Sequence, residues 1–313
     1  MVPGAGLLAP CVPGAFDAWM LLLRDYGRLP LREVITPAIG YARDGYAVVP
    51  MMRTIIEGVA ELFRTAWPTS AAQWLPNGQV PNVGDMHRTP VLAATYQRLL
   101  DEAESVGGDR EDTIEAARKV FYEGFIAEEI DKFCHETEWL DSSGEKHGGL
   151  LTADDMANWN ATIEAPATYD YNGYTVCKPG VWSQGPVFLQ QLALLKGFDI
   201  AGMDPLGPEF AHTQVECAKL ALADREAWYG DPVVNDVPLE TLLSDDYNAA
   251  RRALVGETAS TEFIPGSPDG RNPSLAEFAI LDPNVEEVLA PGAGEPNAAK
   301  AGIGEPNAAL NAD

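Results

Sequence analysis

The chain has 313 residues, of which 46% are apolar, and its 21 basic and 47 acidic side chains give a formal net charge of −26. A chain of this length and apolar content can bury a substantial core, which excludes a disordered tail protein. Its negative charge repels nucleic-acid phosphates and anionic lipid headgroups, so neither class of partner is expected. No apolar run reaches the roughly 18 residues of a membrane span. No signal peptide is predicted from the first residues, and localisation stays open.

Apolar residues at helical spacing predict a mostly helical N-terminal third, with helices over residues 15–26, 31–44, from 90 onward and over 114–133. Pro37 lies inside the second of these helices and is expected to break or kink it, because proline cannot donate the helical hydrogen bond. Thr89 and Pro90 are typical of a helix start, in which the threonine hydroxyl caps the helix and proline takes the first helical position.

The middle of the chain mixes strand and helix patterns. Thr152 and Asp155 have the spacing of a capping box, which predicts a short helix. The Asn172–Gly173 pair stands between two alternating, aromatic-rich runs, which is the pattern of a β-hairpin. Pro186 and Pro208 each open a further predicted helix. Strands followed by helices favour an α/β or α+β fold over a helical bundle.

The last part of the chain changes in composition. From residue 257 onward it is rich in Pro, Gly, Ser, Asn and acidic residues, and the eight residues from Gly292 recur almost unchanged from Gly302. Such a composition predicts a flexible, weakly structured arm. We therefore divide the chain into a core over residues 1–255 and a C-terminal arm over residues 256–313.

The sequence contains weak candidates for a self-contained active site. The sequence has no P-loop, GxGxxG, GxSxG or HExxH motif. His212 and Glu216 have the i,i+4 spacing of two metal ligands, but the other histidines lie in unrelated contexts, so a hydrogen-bonding role is favoured over a metal site. Cys134 and His135 are neighbours in sequence, and neighbours on a helix point about 100° apart. They therefore make a poor nucleophile–base pair.

Other polar features have structural interpretations. Gly185–Pro186 indicates a plain helix start more than an anion site, because proline removes one N–H donor. Asp224 and Arg225 are expected to form ion pairs with other segments, not an acid–base couple. The four cysteines show no CxxC pairing and are interpreted as buried thiols: Cys11, Cys134, Cys177 and Cys217.

Several short segments follow one another in a recognisable order: Val12–Trp19, Tyr26–Pro30, Thr36–Ile39, Phe121–Ala127, Gly149–Asp155, Trp182–Pro186, Leu189–Leu192, Ala223–Arg225, Gly230–Pro232 and Val237–Pro238. The series resembles the motifs of the gamma-glutamyltranspeptidase family, including its VPG, FYxGxIA and GGxLTxxD elements. The resemblance covers roughly residues 12–252. Each motif is weak singly, whereas the ordered series is specific.

The resemblance implies an α+β fold, the four-layer αββα sandwich of N-terminal-nucleophile hydrolases, completed by a second, small subunit. It implies a precursor that cleaves itself. The N-terminal threonine of the small subunit then attacks gamma-glutamyl amides such as glutathione, with its own α-amine as the base. The acyl group passes to water or to an amino-acid or peptide amine, without a metal or cofactor. Two alternatives stay open: another amide substrate, because cephalosporin acylases and oxamate hydrolases are similar, or a truncated, non-catalytic relative.

The same resemblance gives Asp313 a role in processing. Relatives commonly have Gly-Asp directly before the nucleophilic threonine, and Ala312–Asp313 is the similar pair here. We expect this chain to be the large subunit, with Asp313 supplying the carbonyl at which the precursor is cut. No catalytic or substrate-binding residue is assigned within the chain. The arginine that binds the substrate α-carboxylate in relatives, and the small-subunit residues of the pocket, fall outside it.

In the family that the chain resembles, the large subunit mainly surrounds the nucleophile of the small subunit. The helix over residues 208–229 is therefore expected to cover one face of the sheet, with Leu220, Leu222 and Trp228 at least partly buried. The hairpin at Asn172–Gly173 is expected at the periphery.

Overall fold

The computed structural model describes residues 4–275, and these fall into two compact units. The first unit holds residues 4–162 and the second holds residues 163–275 of the described part. Both units combine helices with short antiparallel strand pairs, so the chain is of mixed α and β structure. Within residues 4–275, no helix combines the length and the apolar character needed to cross a membrane.

The first unit is mainly helical. Its helices are α1 (Ala15–Tyr26), α2 (Leu31–Asp44), α3 (Pro50–Thr65), α4 (Pro68–Trp74), α5 (Pro90–Ser105), α6 (Arg110–Tyr122), α7 (Phe125–Glu136) and α8 (Ala153–Ala157). Its strands form two antiparallel pairs, β1 (Tyr46–Ala47) with β2 (Met86–His87), and β3 (Trp139–Leu140) with β4 (Lys146–His147). Apolar side chains from α1, α2, α5 and α6 form the main core, in which Leu31, Leu99, Leu100 and Ile114 are almost fully buried.

Of three predictions for this unit, the break at Pro37 and the Thr89 cap were wrong, and the capping box at Thr152 was confirmed. Helix α2 runs unbroken through Pro37, because burial of Ile35 and Ile39 on its inner face outweighs one lost hydrogen bond. Pro90 does open α5, but the Thr89 hydroxyl does not cap it and lies instead 3.5 Å from the Ala42 carbonyl. The capping box at α8 is present as predicted.

The helical run predicted over residues 114–133 is divided between α6 and α7. Gly124 separates the two helices in an extended conformation. A Cβ atom on Gly124 would lie 2.7 Å from the Val120 carbonyl oxygen, so the close turn requires glycine here.

The second unit begins with the predicted hairpin. Its strands are β5 (Ala167–Tyr171) and β6 (Tyr174–Lys178), and Asn172 and Gly173 both have positive φ, as a tight two-residue turn requires. The helices that follow are α9 (Gly185–Leu195), α10 (Pro208–Trp228), α11 (Leu239–Leu242) and α12 (Asp245–Arg252).

Helix α9, not α10, packs on the hairpin. Leu189 and Ala193 of α9 contact Tyr169 of β5, while Val187 and Leu194 of α9 pack against α10. A helix buried on both sides is expected to be apolar around its circumference, as α9 is. The prediction that α10 covers the strands was therefore wrong in this detail. Leu220 is buried and Trp228 is partly buried as predicted, but Leu222 is exposed.

Candidate functional site

Helix α10 carries side chains at intervals of three to five residues that bind the segment over residues 256–266. They are His212, Glu216, Lys219, Asp224 and Trp228. The imidazole Nε2 of His212 lies 2.8 Å from the Gly256 carbonyl, and the Lys219 ammonium donates to the Ser260 carbonyl at 2.6 Å. The Trp228 indole donates to the Gly266 carbonyl at 3.0 Å. The segment therefore runs beside α10 in the same direction as the helix.

Asp224 is the centre of this arrangement. Its side chain is fully buried and accepts hydrogen bonds from four donors, which lie in α9, in α12 and in the segment over residues 256–266. The donors are the Gln190 amide at 2.6 Å, the Tyr247 hydroxyl at 2.9 Å, the Arg251 guanidinium at 3.0 Å and the Gly266 backbone N–H at 2.6 Å. A buried carboxylate is stable only when it is paired and hydrogen-bonded in this way.

Arg251 extends the same network. Its guanidinium is buried and also donates to the carbonyls of Leu220 and Ile264, which ties α12 to α10 and to the bound segment. The predicted ion pair of Asp224 with another segment is thus confirmed. Arg225 was predicted to do the same, but it pairs with the adjacent Glu226.

The first part of the predicted arm is therefore held against α10 through residue 266. The arm was predicted to be flexible because it is rich in Pro, Gly, Ser, Asn and acidic residues, but the backbone groups of its first part receive partners from the helix. The rest of the arm after residue 275, and with it Asp313, lies outside the described residues. The division at residue 255 and the role of Asp313 stay predictions.

Three of the family-like motifs meet at one cleft in the second unit. The cleft has a volume of about 510 Å³ and is lined by residues 181–184 and by residues 225, 226 and 229–231. The Trp182 indole is exposed there, beside the Arg225–Glu226 pair. Segments that are 40 residues apart in sequence, such as Trp182–Pro186 and Ala223–Arg225, thus contribute to one surface.

The Tyr229 hydroxyl is buried beside this cleft and has no hydrogen-bond partner among the described residues. Burial raises the pKa of this phenol, and the nearby Asp224 carboxylate raises it further. The hydroxyl therefore stays protonated near neutral pH, and it can donate a hydrogen bond but not act as a base.

Helix α9 starts at the edge of the cleft, and its first two residues offer no free N–H donor to an anion. The Gly185 N–H is bound by the Ser183 hydroxyl at 2.9 Å, and Pro186 has no N–H. The plain helix start is therefore the better interpretation of Gly185–Pro186.

His212 and Glu216 have partners of their own. His212 binds the Gly256 carbonyl, and Glu216 pairs with Lys219 at 2.5 Å. Burial opposes ionisation of Glu216, but hydrogen bonds from Lys219 and the Ser260 N–H outweigh it and lower the pKa of this carboxyl. Among residues 4–275, no three His, Cys, Asp or Glu side chains come close enough to form a metal site.

The Cys134–His135 pair does not form a reactive thiol. Burial raises the pKa of the Cys134 thiol, while His135 turns to Asp131 on its own helix at 2.8 Å. The interpretation of all four cysteines as buried was half right. Cys134 and Cys217 are buried, whereas Cys11 and Cys177 are exposed.

A serine–aspartate–histidine cluster in the loop between β3 and β4 was missed by the sequence analysis. Asp141 is buried and accepts from the His147 Nδ1–H at 2.6 Å and from the Ser143 hydroxyl at 2.5 Å. The serine donates to the aspartate and not to the histidine, so it is not an activated nucleophile. Burial disfavours the charged form of Asp141, but these hydrogen bonds outweigh burial and lower its pKa. The group fixes the loop.

This cluster makes the free energy of unfolding depend on pH in the acidic range. The pKa of Asp141 is lower in the folded state than in the unfolded state. The ionised carboxylate therefore stabilises the fold fully above pH about 4, and this stabilisation is lost as the pH falls further. We expect Asp141→Asn to cost about 1–3 kcal/mol of unfolding free energy at pH 7. Denaturant titrations from pH 7 to pH 3 should show the difference from the wild type shrinking below pH 4. Ser143→Ala, which removes one donor, should cost less, and a pH-independent difference for Asp141→Asn would contradict this assignment.

The chain is similar to known proteins both in sequence and in structure. The sequence model of the gamma-glutamyltranspeptidase family matches residues 1–284. A glutathione hydrolase-like YwrD proenzyme of Bacillus subtilis strain 168 is 30% identical over 271 residues, which is 87% of this chain and 46% of the relative.

Several solved structures are similar to the described fold, among them two of known-family relatives. The structure of LmbA2991HD has a TM-score of 0.81 at 54% identity, covering 89% of this chain and 47% of that chain. A cephalosporin acylase from Bacillus halodurans has a TM-score of 0.72 at 31% identity, covering 85% and 46%. This chain thus spans about half the length of these relatives. The fold class is the α+β, four-layer αββα type of the N-terminal-nucleophile hydrolases, as predicted.

Proposed function

The chain belongs to the gamma-glutamyltranspeptidase family, and from this membership we propose that it is the large subunit of an amide-cleaving enzyme whose nucleophile lies on a companion chain. The observation that carries the proposal is the family match over residues 1–284, in a chain spanning less than half of its proenzyme relatives. Within residues 4–275, the one serine–histidine–aspartate group lacks the geometry of a nucleophile. This supports placing the reacting hydroxyl elsewhere.

The reaction uses the N-terminal threonine of the companion. Its hydroxyl attacks the carbonyl carbon of the substrate amide, and its own α-amine accepts the hydroxyl proton. The amine part of the substrate leaves with a proton, and the acyl group stays on the threonine as an ester. Water or a second amine then attacks this ester and releases the acyl group.

The same threonine creates the two chains. Its hydroxyl attacks the carbonyl of the preceding residue, the peptide bond becomes an ester, and water hydrolyses the ester. We assign the preceding residue as Asp313, on the strength of the Ala312–Asp313 pair described above.

The substrate that we propose is a gamma-glutamyl amide, such as glutathione. A cephalosporin acylase and the Acylase ACY 1 proenzyme of Pseudomonas sp. strain V22 also match this chain, the latter at 28% identity over 279 residues. An acylase acting on another side-chain amide is therefore the second candidate function.

Two substrates that differ in one group separate these candidates. The two-chain protein is assayed with gamma-glutamyl-p-nitroanilide and with the matched glutaryl anilide, which lacks the α-amine. A site built to hydrogen-bond that amine rejects the analogue strongly. We expect kcat/KM to be at least ~100-fold higher for the gamma-glutamyl substrate. Equal rates, or a faster glutaryl reaction, would favour the acylase, and no cleavage of either would contradict the proposed activity.

A further inference from the structure

Helix α1 is apolar on nearly every side. Of its twelve residues, only three carry charged side chains, and the rest are apolar. A helix that is apolar around its whole circumference is normally buried on all sides, whereas a surface helix carries a polar face. The burial of α1 in this chain is one-sided.

The inner face of α1 is buried within the first unit. Phe16 and Met20 are buried in the main core, where Phe16 stacks on Phe121 with ring centroids 4.4 Å apart. Asp17 is buried and paired with Arg118, and it also accepts from the Ala161 N–H at 2.8 Å. The one acidic group in the first two turns is therefore not available to solvent.

The outer face of α1 is an apolar stripe formed by Trp19, Leu22 and Tyr26, which are 58%, 57% and 75% exposed. These residues are three and four apart, so they lie on one side of the helix over about two turns. The charges at the end of the helix are already paired, since Arg24 binds Asp25 and Glu115, each at 2.6 Å. No polar side chain separates the three residues of this α1 stripe from one another on that side.

Helix α5 of the same unit has a polar outer side, unlike α1. The outer side of α5 carries Gln97, Arg98, Asp101 and Glu102, which bond to one another at i,i+4 spacing. Exposed aliphatic residues such as Val91 and Leu92 at the start of α5 are ordinary on a protein surface. A row of two aromatic residues and a leucine is instead the composition of an interface core.

We propose that the α1 stripe is the docking surface for the companion subunit that carries the N-terminal threonine. This inference rests on the proposed function. This chain spans about half the length of these relatives, so the threonine-led companion of the proposed function is a partner of similar size. A second copy of this chain is a poorer occupant, because each copy carries a net charge of −26 and like charges repel.

Photo-crosslinking in the assembled two-chain enzyme tests the occupant directly. The photoreactive residue p-benzoylphenylalanine replaces Leu22, and the matched control has it at the exposed Val91 of α5. Irradiation should join position 22 to the threonine-led chain at least ~fivefold more than position 91. Crosslinks from position 22 to another copy of this chain, or none above the level of the control, would overturn the assignment.

Charge substitution on the same stripe gives a second, independent test. Leu22→Glu with Tyr26→Glu changes only exposed side chains and should leave the fold of this chain intact, which circular dichroism checks. The double variant should lose its companion on size-exclusion chromatography, with at least ~tenfold weaker association, while Val91→Glu retains it. Full retention by the double variant would overturn this inference alone. Absence of any threonine-led chain from the wild-type protein would overturn the proposed function as well.

Discussion

The Asp224→Asn variant is expected to lose about 3–5 kcal/mol of unfolding free energy, the usual cost of breaking a buried charge pair on one side. The substitution keeps the shape of the side chain but removes its charge, and it places an NH₂ group against donors. Arg251 is then left buried with an uncompensated charge, because its guanidinium lies 3.0 Å from Asp224 and is itself almost inaccessible. The Gly266 N–H and the Tyr247 hydroxyl lose a charged acceptor at the same time.

Denaturant unfolding followed by tryptophan fluorescence measures this loss. The matched control is Asp236→Asn, which removes an exposed aspartate that also pairs with an arginine, Arg271. Exposed pairs contribute little to stability, so the control should unfold close to the wild type. If Asp224→Asn unfolded within about 1 kcal/mol of the wild type, the central role given to Asp224 would be wrong, since even one orphaned buried donor costs that much.

The second large effect concerns the companion chain. Replacing its N-terminal threonine by alanine should lower the turnover of the preferred substrate by at least ~1000-fold, because no other group supplies the attacking hydroxyl. The same change in the precursor should leave it uncut, since one hydroxyl performs both reactions. Replacement by serine is the control, because it retains a hydroxyl and should keep part of both activities. An alanine variant that is still processed and active would place the nucleophile elsewhere.

Local sequence patterns predicted the elements whose structure depends on neighbouring residues. The Asn172–Gly173 turn needs two residues with positive φ, and the capping box at Thr152 needs two side chains three residues apart. Both are satisfied within a few residues, so the sequence is sufficient to recognise them. The position of the first helices followed from the spacing of their apolar residues in the same way.

The features that were missed depend on partners distant in sequence. Asp224 binds Gln190 and Gly266, which lie 34 and 42 residues away, and no spacing rule predicts such a meeting. The first residues of the arm were predicted to be flexible from composition alone. Their backbone groups form hydrogen bonds with α10 side chains, and none of these side chains belongs to a pattern that predicts such a contact. The Asp141 cluster was missed because its histidine was considered without the strand pair that brings it back to the aspartate.

The sequence showed the family-like motifs of the candidate site, but it did not show that they lie on one surface. The motifs at residues 182–186 and 223–232 could be identified singly, while their convergence on one cleft required the packing of α9 against α10. The exposure of the α1 stripe likewise follows from which side of the helix the core occupies. An apolar helix in a sequence does not show which of its faces is already covered.

The most direct test of a divided enzyme is the mass and N-terminal sequence of every polypeptide in the purified protein. The expected result is two chains from one precursor, one of which ends at Asp313 while the other begins with threonine. A single polypeptide continuing through Asp313 in a protein that is active on gamma-glutamyl amides would contradict it, and so would a companion that begins with a residue lacking a hydroxyl or thiol.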